Sequence, residues 1–394
     1  MSKKIFVVAG EASGDVLGGA LMRALKDQYG NEGVEFAGIG GKFMQEAGLE
    51  SLIPMEELCV MGITEVLEHL PRLLKLIRWV ADRIEDFDPD AVVFVDLPDF
   101  NFRVAKLIKK RGGYRAKLIH YVAPTVWAWR EGRAKHIAQF LDGLMCLFPF
   151  EPEYFTKHGL KTSFVGHPLV ERHWIGEAER SDVMKRFKEK REVPDNANLM
   201  GVMFGSRVSE FEMHAPIFAE ALSIMREQDP NLQLVVPTLP HLQFEVMSLL
   251  GQLKIPAYIV IDENEKWEAL ACVDVAMAVS GTVALELAYA DIPHVVAYKT
   301  SRFNWLVIKM LVKTKFAHLA NIILQKPVVP EHLQDDCTPE KLAAGVTRLR
   351  QVPQLVAQQK KAFAALRKKL GGSDSRPGKR AAEFVAAMLE GPNK

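Results

Sequence analysis

Residues 9–15 read AGEASGD, directly after the apolar run Ile5-Phe6-Val7-Val8. A run of that composition, too short for a helix, predicts a strand buried on both faces, and the small residues after it predict a tight turn into a helix. Strand, small-residue turn and helix form the opening unit of a parallel α/β sheet, so this stretch sets the fold class. It also raises a question: what is a turn with Gly10, Ser13 and Gly14 beside Glu11 and Asp15 built to hold? The spacing is neither the G-x-G-x-x-G of a dinucleotide site nor the G-K-[ST] of a phosphate loop. Small residues let another chemical group approach the backbone; the plainer reading is a turn in which Ser13 or Asp15 caps the following helix.

The pattern recurs. Apolar, β-branched runs at Val34–Gly38, Ala91–Val95, Lys117–Val122 and Gly143–Leu147 follow the first, Ile5–Ala9. A second series comprises Leu199–Phe204, Leu232–Pro237, Ala257–Ile261, Val273–Val279 and His294–Tyr298, each separated from the next by amphipathic stretches. Two series of alternating strands and helices predict an α/β protein of two doubly wound parallel-sheet domains facing one another. A polar stretch from Glu171 to Asn198 parts them, giving domains 1–170 and 171–364, with 365–394 as a basic terminal helix crossing back to the first.

The 394 residues, 48% apolar and 25% charged, carry a net charge of +1, which gives no global attraction to polyanions and sets nucleic acid aside. Cys59, Cys146, Cys272 and Cys337 stand far apart without ligand spacing, favouring a reducing compartment and no structural zinc. Met1–Ala9 imitates a signal peptide but is too short and ends at Glu11, so a cytoplasmic protein is expected.

In open α/β sheets ligands bind beyond the carboxyl ends of the strands. After the third expected strand comes VDLPDFN, residues 95–101. Asp96 closes an apolar run and is expected to project into the cleft, as a base for a nucleophilic hydroxyl or simply as a turn acceptor. Asp99 reads better as an N-cap than as a catalytic group. HYVAPTVWAWR, residues 120–130, is dense in aromatics, so Trp127, Trp129 and Arg130 line a sugar or acyl pocket or pack in the core. In the second series Phe204-Gly205-Ser206-Arg207 puts two small residues and an arginine at a helix start, an anion site. SGTVALE, residues 280–286, repeats that logic. Gly281 and Thr282 offer N–H groups to phosphate, and Glu286 either accepts from ribose hydroxyls or serves as a favourable charge early in a helix. Asp88-Pro89-Asp90 imitates a metal-holding D-x-D but precedes its strand and reads as a turn.

AGEASGD, MEELCVMGITEVL, VDLPDFN, HYVAPTVWAWR, LFPFE, GHP, GSR and SGTVALE, in that order over residues 9–286, resemble the lipid-A-disaccharide synthase family of GT-B glycosyltransferases, and the likeness continues to Leu319-Ala320-Asn321. The resemblance implies an inverting, metal-independent transfer of a 2,3-diacylglucosamine unit from UDP to the 6-hydroxyl of 2,3-diacylglucosamine 1-phosphate. Position by position, Asp96 matches the essential aspartate, Arg207 the arginine of GSR, and Glu286 and Asn321 nucleotide-side residues. Gly10, Glu11 and Ser13 then belong to a wall of the substrate cleft, with Asp99, His120 and Trp127. Phe204 and Ala320 depart from the family pattern, which has proline at both places. Asp96 is the expected base, with His120, Glu11 and Asp99 as alternatives; Arg207 and the N–H groups at Ser206 and Gly281-Thr282 are expected to absorb the charge of departing UDP.

The expected partners are the UDP-diacylglucosamine donor, the diacylglucosamine 1-phosphate acceptor and an anionic membrane surface, with a homodimer as a further option. No cofactor and no metal are expected. Acyl substrates place the protein peripherally on the inner face of the inner membrane of a Gram-negative bacterium. Ile63, Val66, Leu67, Leu70, Leu73, Leu74 and Ile77 recur at helical spacing with Arg72, Lys75 and Arg78, an amphipathic stripe that either meets lipid or packs on its own sheet. Pro71 is expected to interrupt that helix, and Phe303, Trp305, Leu306, Ile308, Met310 and Leu311 form a second such stretch. Rival readings are another GT-B enzyme acting on UDP-N-acetylglucosamine, either a 2-epimerase or a transferase to an undecaprenyl-linked acceptor, and a non-catalytic nucleotide-sugar binding module.

Overall fold

The computed structural model describes residues 2–58, 66–113, 115–128, 131–171, 175–312, 314–372 and 376–390, without the side chains of 66–70 and 177. The chain forms two compact units, Met1–Glu171 with Ser373–Lys394, and Arg172–Gly372. Each is built on one six-stranded sheet.

The first sheet contains β1 (Lys3–Ala9), β2 (Val34–Ile39), β3 (Ala91–Val95), β4 (Lys117–Tyr121), β5 (Gly143–Cys146) and β6 (Lys161–Phe164), in the order β2-β1-β3-β4-β5-β6 with every pair parallel. In β1 the alternating side chains part to the two faces. Phe6 and Val8 pack with Val92 and Phe94 beneath the helices Val66–Phe87 and Pro98–Arg111, while Ile5, Val7 and Ala9 meet Val93, Val95 and the helix Ala12–Tyr29. Burial on both faces is what selected unbroken apolar runs.

The second sheet contains β7 (Asn198–Met203), β8 (Leu232–Pro237), β9 (Ala257–Val260), β10 (Val275–Val279), β11 (His294–Tyr298) and β12 (Glu331–Leu333). Its order is β12-β11-β10-β7-β8-β9, again all parallel. All ten expected runs are strands, and the two that went unseen, β6 (KTSF) and β12 (EHL), lie at the sheet edges. Pairing on one side only lets these two be half-exposed and largely polar in sequence, whereas the other edge strands, β2 and β9, keep an apolar run.

The strand order reverses between β1 and β3 in one sheet and between β7 and β10 in the other. There the helices leave toward opposite faces and open a crevice at the carboxyl ends. The segments after β1, β3, β7 and β10 are those singled out in the sequence. Asp88 and Asp90 lie at the other end of the first sheet, where an Asp90 carboxylate oxygen accepts from the Lys4 amide at 2.9 Å.

The helix Pro377–Glu390 belongs to the first unit. It packs on Ala12–Tyr29 and sends Ala381, Ala382, Val385 and Met388 into the core beneath β1. Residues 365–370, grouped by sequence with this helix, instead complete the helix Pro353–Leu370 of the second unit, where Leu366 and Leu370 are fully buried and Arg367 pairs with Asp291 at 3.1 Å. At Gly378 a Cβ would lie 3.0 Å from the Ala20 carbonyl oxygen, so the two helix backbones approach closely there. Gly378→Leu is expected to cost about 1–3 kcal/mol by overpacking, measured as a lower midpoint in denaturant unfolding of the full chain.

Candidate active site

The AGEASGD turn holds other parts of the first unit in place. A Cβ on Gly10 would meet Leu97 Cδ2 at 2.4 Å, and one on Gly14 would meet the Val95 carbonyl oxygen at 3.3 Å, so the small residues admit the β3 turn. Ser13 Oγ donates to Asp96 Oδ2 at 3.3 Å. Neither Ser13 nor Asp15 caps the following helix: Glu11 occupies the N-cap position with no side-chain cap bond. The buried Asp15 carboxylate accepts from the amides of Gly41, Phe43 and Met44 at 2.9–3.0 Å and fixes the segment after β2.

Asp96 and Leu97 both adopt left-handed backbone, with φ of 53° and 44°. Two successive non-glycine residues in that region are strained, and strain of this kind persists only where neighbours enforce it. Here the Asp96 amide donates to the Tyr121 carbonyl at 2.8 Å, and the buried Asn101 side chain donates to the Asp96 carbonyl at 2.7 Å. The result is a carboxylate turned off the end of β3 at the strand-order reversal. Burial raises its pKa above the usual aspartate range, opposed by a Leu97 backbone hydrogen bond and by the Ser13 hydroxyl.

The other expected bases of this unit are differently placed. Leu97, not Asp99, holds the N-cap position of Pro98–Arg111; the Asp99 carboxylate stands in the first turn, exposed, and pairs with Arg133 at 3.2 Å. His120 is fully buried against Phe102, with ring centroids 4.6 Å apart. Its pKa is pushed down to about 3 by burial, then by Arg133, against a raising contact with the Val122 backbone, so it is a neutral packed imidazole at pH 7. Trp127 is buried, and its indole N–H donates to Glu151 at 3.2 Å. Glu151, quoted in LFPFE without a role, also accepts from the Phe148 amide at 3.0 Å, and burial pushes its pKa up to about 7 against these bonds. Core packing therefore accounts for Trp127. Trp129 and Arg130 lie outside the described residues.

In the second unit Gly205, at φ 98°, turns the chain out of β7, leaving Ser206 and Arg207 exposed at the start of the helix Val208–Gln228. The Ser206 amide and the Arg207 guanidinium both donate to the Glu210 carboxylate, at 3.0 and 3.2 Å. His241, from the segment after β8, lies with Nε2 3.0 Å from the Ser206 carbonyl. Beside them, after β10, Gly281 and Thr282 are exposed at the start of the helix Thr282–Tyr289, and a Cβ on Gly281 would meet open space. Two helix N-termini with exposed N–H groups at one strand-order reversal have the chemistry to receive anionic groups. Glu286, a turn further on, pairs with Lys266 at 3.0 Å.

Asn321 takes another part. It is fully buried, its Nδ2 donates to the Val329 carbonyl and to Glu331, and its Oδ1 accepts from the Val328 and Val329 amides, all within 2.8–2.9 Å. Its polar capacity is used in shaping the chain into β12. Glu331 also accepts from the Ala317 and His318 amides at 2.9 Å. The Ala320 amide donates to His318 Nδ1 at 2.9 Å, which leaves the His318 proton on Nε2, directed at His294 Nε2 at 2.8 Å. Both imidazoles are buried and neutral, His294 being pushed down to about 4 by burial. Glu151, Glu210, His241 and Glu331, which bond to these turns, carry no role in the sequence reading; only the local spacing of Glu210 from GSR offers a signal.

The first amphipathic stripe divides. Ile63 lies outside the described residues, as do the side chains of Val66, Leu67 and Leu70. Ile77 is buried in the core, Leu73 is half-buried against it, and Leu74 is exposed. The helix runs through Pro71 unbroken. The helix Arg302–Leu311 buries none of its residues, with Phe303 74% and Met310 69% exposed. Among the described residues no helix is long and apolar enough to cross a membrane, and no group of three or more His, Cys, Asp or Glu side chains is placed to hold a metal ion.

The family model for Lipid-A-disaccharide synthetase matches residues 5–385. The chain belongs to the lipid-A-disaccharide synthase family. It is 44% identical over 385 residues to the lipid-A-disaccharide synthase of Rhodospirillum centenum, covering 98% of this chain and 94% of that one. It is 43% identical over 387 residues to that of Paramagnetospirillum magneticum, covering 98% and 97%. Among solved structures, the S. aureus MnaA–UDP complex superposes with a TM-score of 0.65 at 13% identity over 100% of this chain and 99% of that one, a likeness of fold. The fold is thus GT-B-like and the activity that of a lipid-A-disaccharide synthase, a glycosyltransferase of lipid A biosynthesis. Both departures from the family pattern have a place in the structure: Phe204 packs in the core with Phe211 and Phe218, and the Ala320 amide makes the bond to His318 that a proline lacks.

A base must be ionised to act, so an aspartate with a raised pKa loses activity at a higher pH than an ordinary carboxylate would. Ser13→Ala removes a bond that favours the ionised form. The acid limb of the kcat/KM profile is expected to move to higher pH in this variant, with the plateau retained; an unmoved limb would separate Asp96 from the titrating group.

Proposed function

We propose that the enzyme transfers a 2,3-diacylglucosamine unit from UDP to the 6-hydroxyl of 2,3-diacylglucosamine 1-phosphate, with Asp96 as general base in the first unit and the Ser206-Arg207 and Gly281-Thr282 turns receiving the diphosphate in the second. The observation that carries this reading is the desolvated, backbone-strained Asp96 carboxylate held at a strand-order reversal by Ser13. Burial raises its pKa, which makes the carboxylate a better proton acceptor than a free aspartate. Inversion follows from one displacement at the anomeric carbon. Arg207 and the backbone N–H groups meet the charge that develops on UDP, and Glu286, steadied by Lys266, lies a turn beyond for the ribose hydroxyls. Asn321 serves indirectly, through the network that shapes β12.

Acyl substrates reside in a bilayer, and we infer that the enzyme works as a peripheral protein on an anionic membrane face in the cytoplasm. The exposed apolar side chains of Arg302–Leu311, with Arg302 and Lys309 among them, support this, as does exposed Leu74.

Asp96→Asn is expected to lower kcat by 10²–10⁴ or so with UDP affinity unchanged, and Arg207→Ala to weaken UDP binding by about 1.5–3 kcal/mol. Mass analysis of products from diacylated donor and acceptor should show the disaccharide 1-phosphate, with EDTA without effect. Turnover of an unacylated sugar nucleotide instead would favour a 2-epimerase or a different acceptor. Phe303→Ser/Leu306→Ser/Met310→Ser is expected to stay folded and to sediment less with anionic liposomes; unchanged sedimentation would move the membrane contact elsewhere.

A further inference from the structure

We propose that the Glu210 carboxylate is a built-in occupant of the diphosphate seat, one that the nucleotide must displace on binding and that reclaims the seat when UDP leaves. The inference rests on the placement of the diphosphate at Ser206 and Arg207 and adds a residue that sets its affinity.

Glu210 is the third residue after the N-cap Arg207. A glutamate there ordinarily bends back to the amide of the N-cap itself. Glu210 reaches one residue further, to the Ser206 amide at 3.0 Å, and its second oxygen takes the Arg207 guanidinium at 3.2 Å. One backbone N–H and one guanidinium converging on a pair of anionic oxygens is the environment a phosphate takes at such a turn. The glycine before them completes it: a Cβ at position 205 would lie 2.7 Å from Glu210 Oε2, so the space over the turn is kept open and the carboxylate fills it.

The single Ser206 N–H cannot serve a carboxylate and a phosphate at once, although the guanidinium has donors to spare. Like charges a few ångströms apart repel strongly at a partly desolvated site, so diphosphate binding requires the carboxylate to swing out. The side chains suit such an exchange: Arg207 is 78% exposed, and Glu210, 24% exposed, keeps an open side toward solvent. The helix behind them stays in place without the carboxylate. His214, one turn along, sets its Nδ1 2.7 Å from the Glu210 carbonyl and accepts the Lys299 amide on Nε2 at 2.8 Å, so its imidazole ties the first turn to the end of β11 without the Glu210 carboxylate. An internal competitor weakens the hold on nucleotide and shortens the life of the product complex, which a transferase releasing UDP at each turnover needs.

The test is calorimetric titration of the full-length protein with UDP and, separately, with uridine, for wild type, Glu210→Gln, Glu210→Asp and Arg207→Ala, with thermal melts for each. Glu210→Gln removes the charge and keeps the shape; it is expected to tighten UDP binding about 3- to 10-fold, to strengthen product inhibition by UDP to match, and to leave uridine unchanged. Glu210→Asp is too short to hold both donors and should tighten UDP binding to a lesser degree, which keeps the question answerable if the glutamine variant does not fold. Unchanged or weaker UDP binding in folded Glu210 variants, with Arg207→Ala weakened as expected, overturns the inference alone and leaves Glu210 as a helix cap or a direct nucleotide contact. UDP affinity insensitive to Arg207→Ala removes the seat itself and this inference with it.

Discussion

In a parallel ladder every strand presents its carboxyl end at the same edge, and the chain returns to the opposite edge through a helix before the next strand begins. The chemistry of this protein depends on that constraint twice. Both sheets are parallel throughout, so every turn that follows a strand within a unit collects at one edge, and where the strand order reverses the helices diverge and leave those turns uncovered. Asp96 stands at one reversal, and the Ser206-Arg207 and Gly281-Thr282 turns at the other. A strand inserted antiparallel at either centre would carry its turn to the far edge.

Within each unit the candidate site turns are held by polar residues that bond to other segments of the chain. Asp15 spends its carboxylate on three amides after β2, Asn101 and the Tyr121 carbonyl pin the left-handed backbone at Asp96, and Glu331 gathers two amides and Asn321. Each is a charged or polar group, buried or half-buried, that bonds to the backbone of another segment, and removing one partner would strand the others. The short functional turns keep their shape because this second set of residues is rigid.

The strands were legible because burial on both faces leaves an unbroken apolar run, and the turns were legible because close backbone approach leaves glycine and serine. The edge strands β6 and β12 escaped for the converse reason, being half in water. What a turn holds was not legible. Ser13 and Asp96 meet across 83 positions, Asp15 and Met44 across 29, and no local spacing records such pairs. Asn321 is expected on the nucleotide side by resemblance and Trp127 in a pocket by its aromatic neighbours; neither basis records their partners in the fold, the amides near Val328 and the Glu151 carboxylate, which lie on other turns. His120 read as a base because it ends a strand, yet its side points into the face covered by Phe102, where an imidazole stays neutral.

The second unit, Arg172–Gly372, is an insertion within the first, whose core is completed by Pro377–Glu390. During synthesis the residues of the second unit are all delivered before that helix, so it is able to close its core while the face of the first sheet that receives Ala381, Ala382, Val385 and Met388 is still bare. The half of the enzyme that leaves the ribosome first is therefore finished last, and the apolar surface around Leu21 and Val7 must wait through some two hundred residues of further translation for its cover.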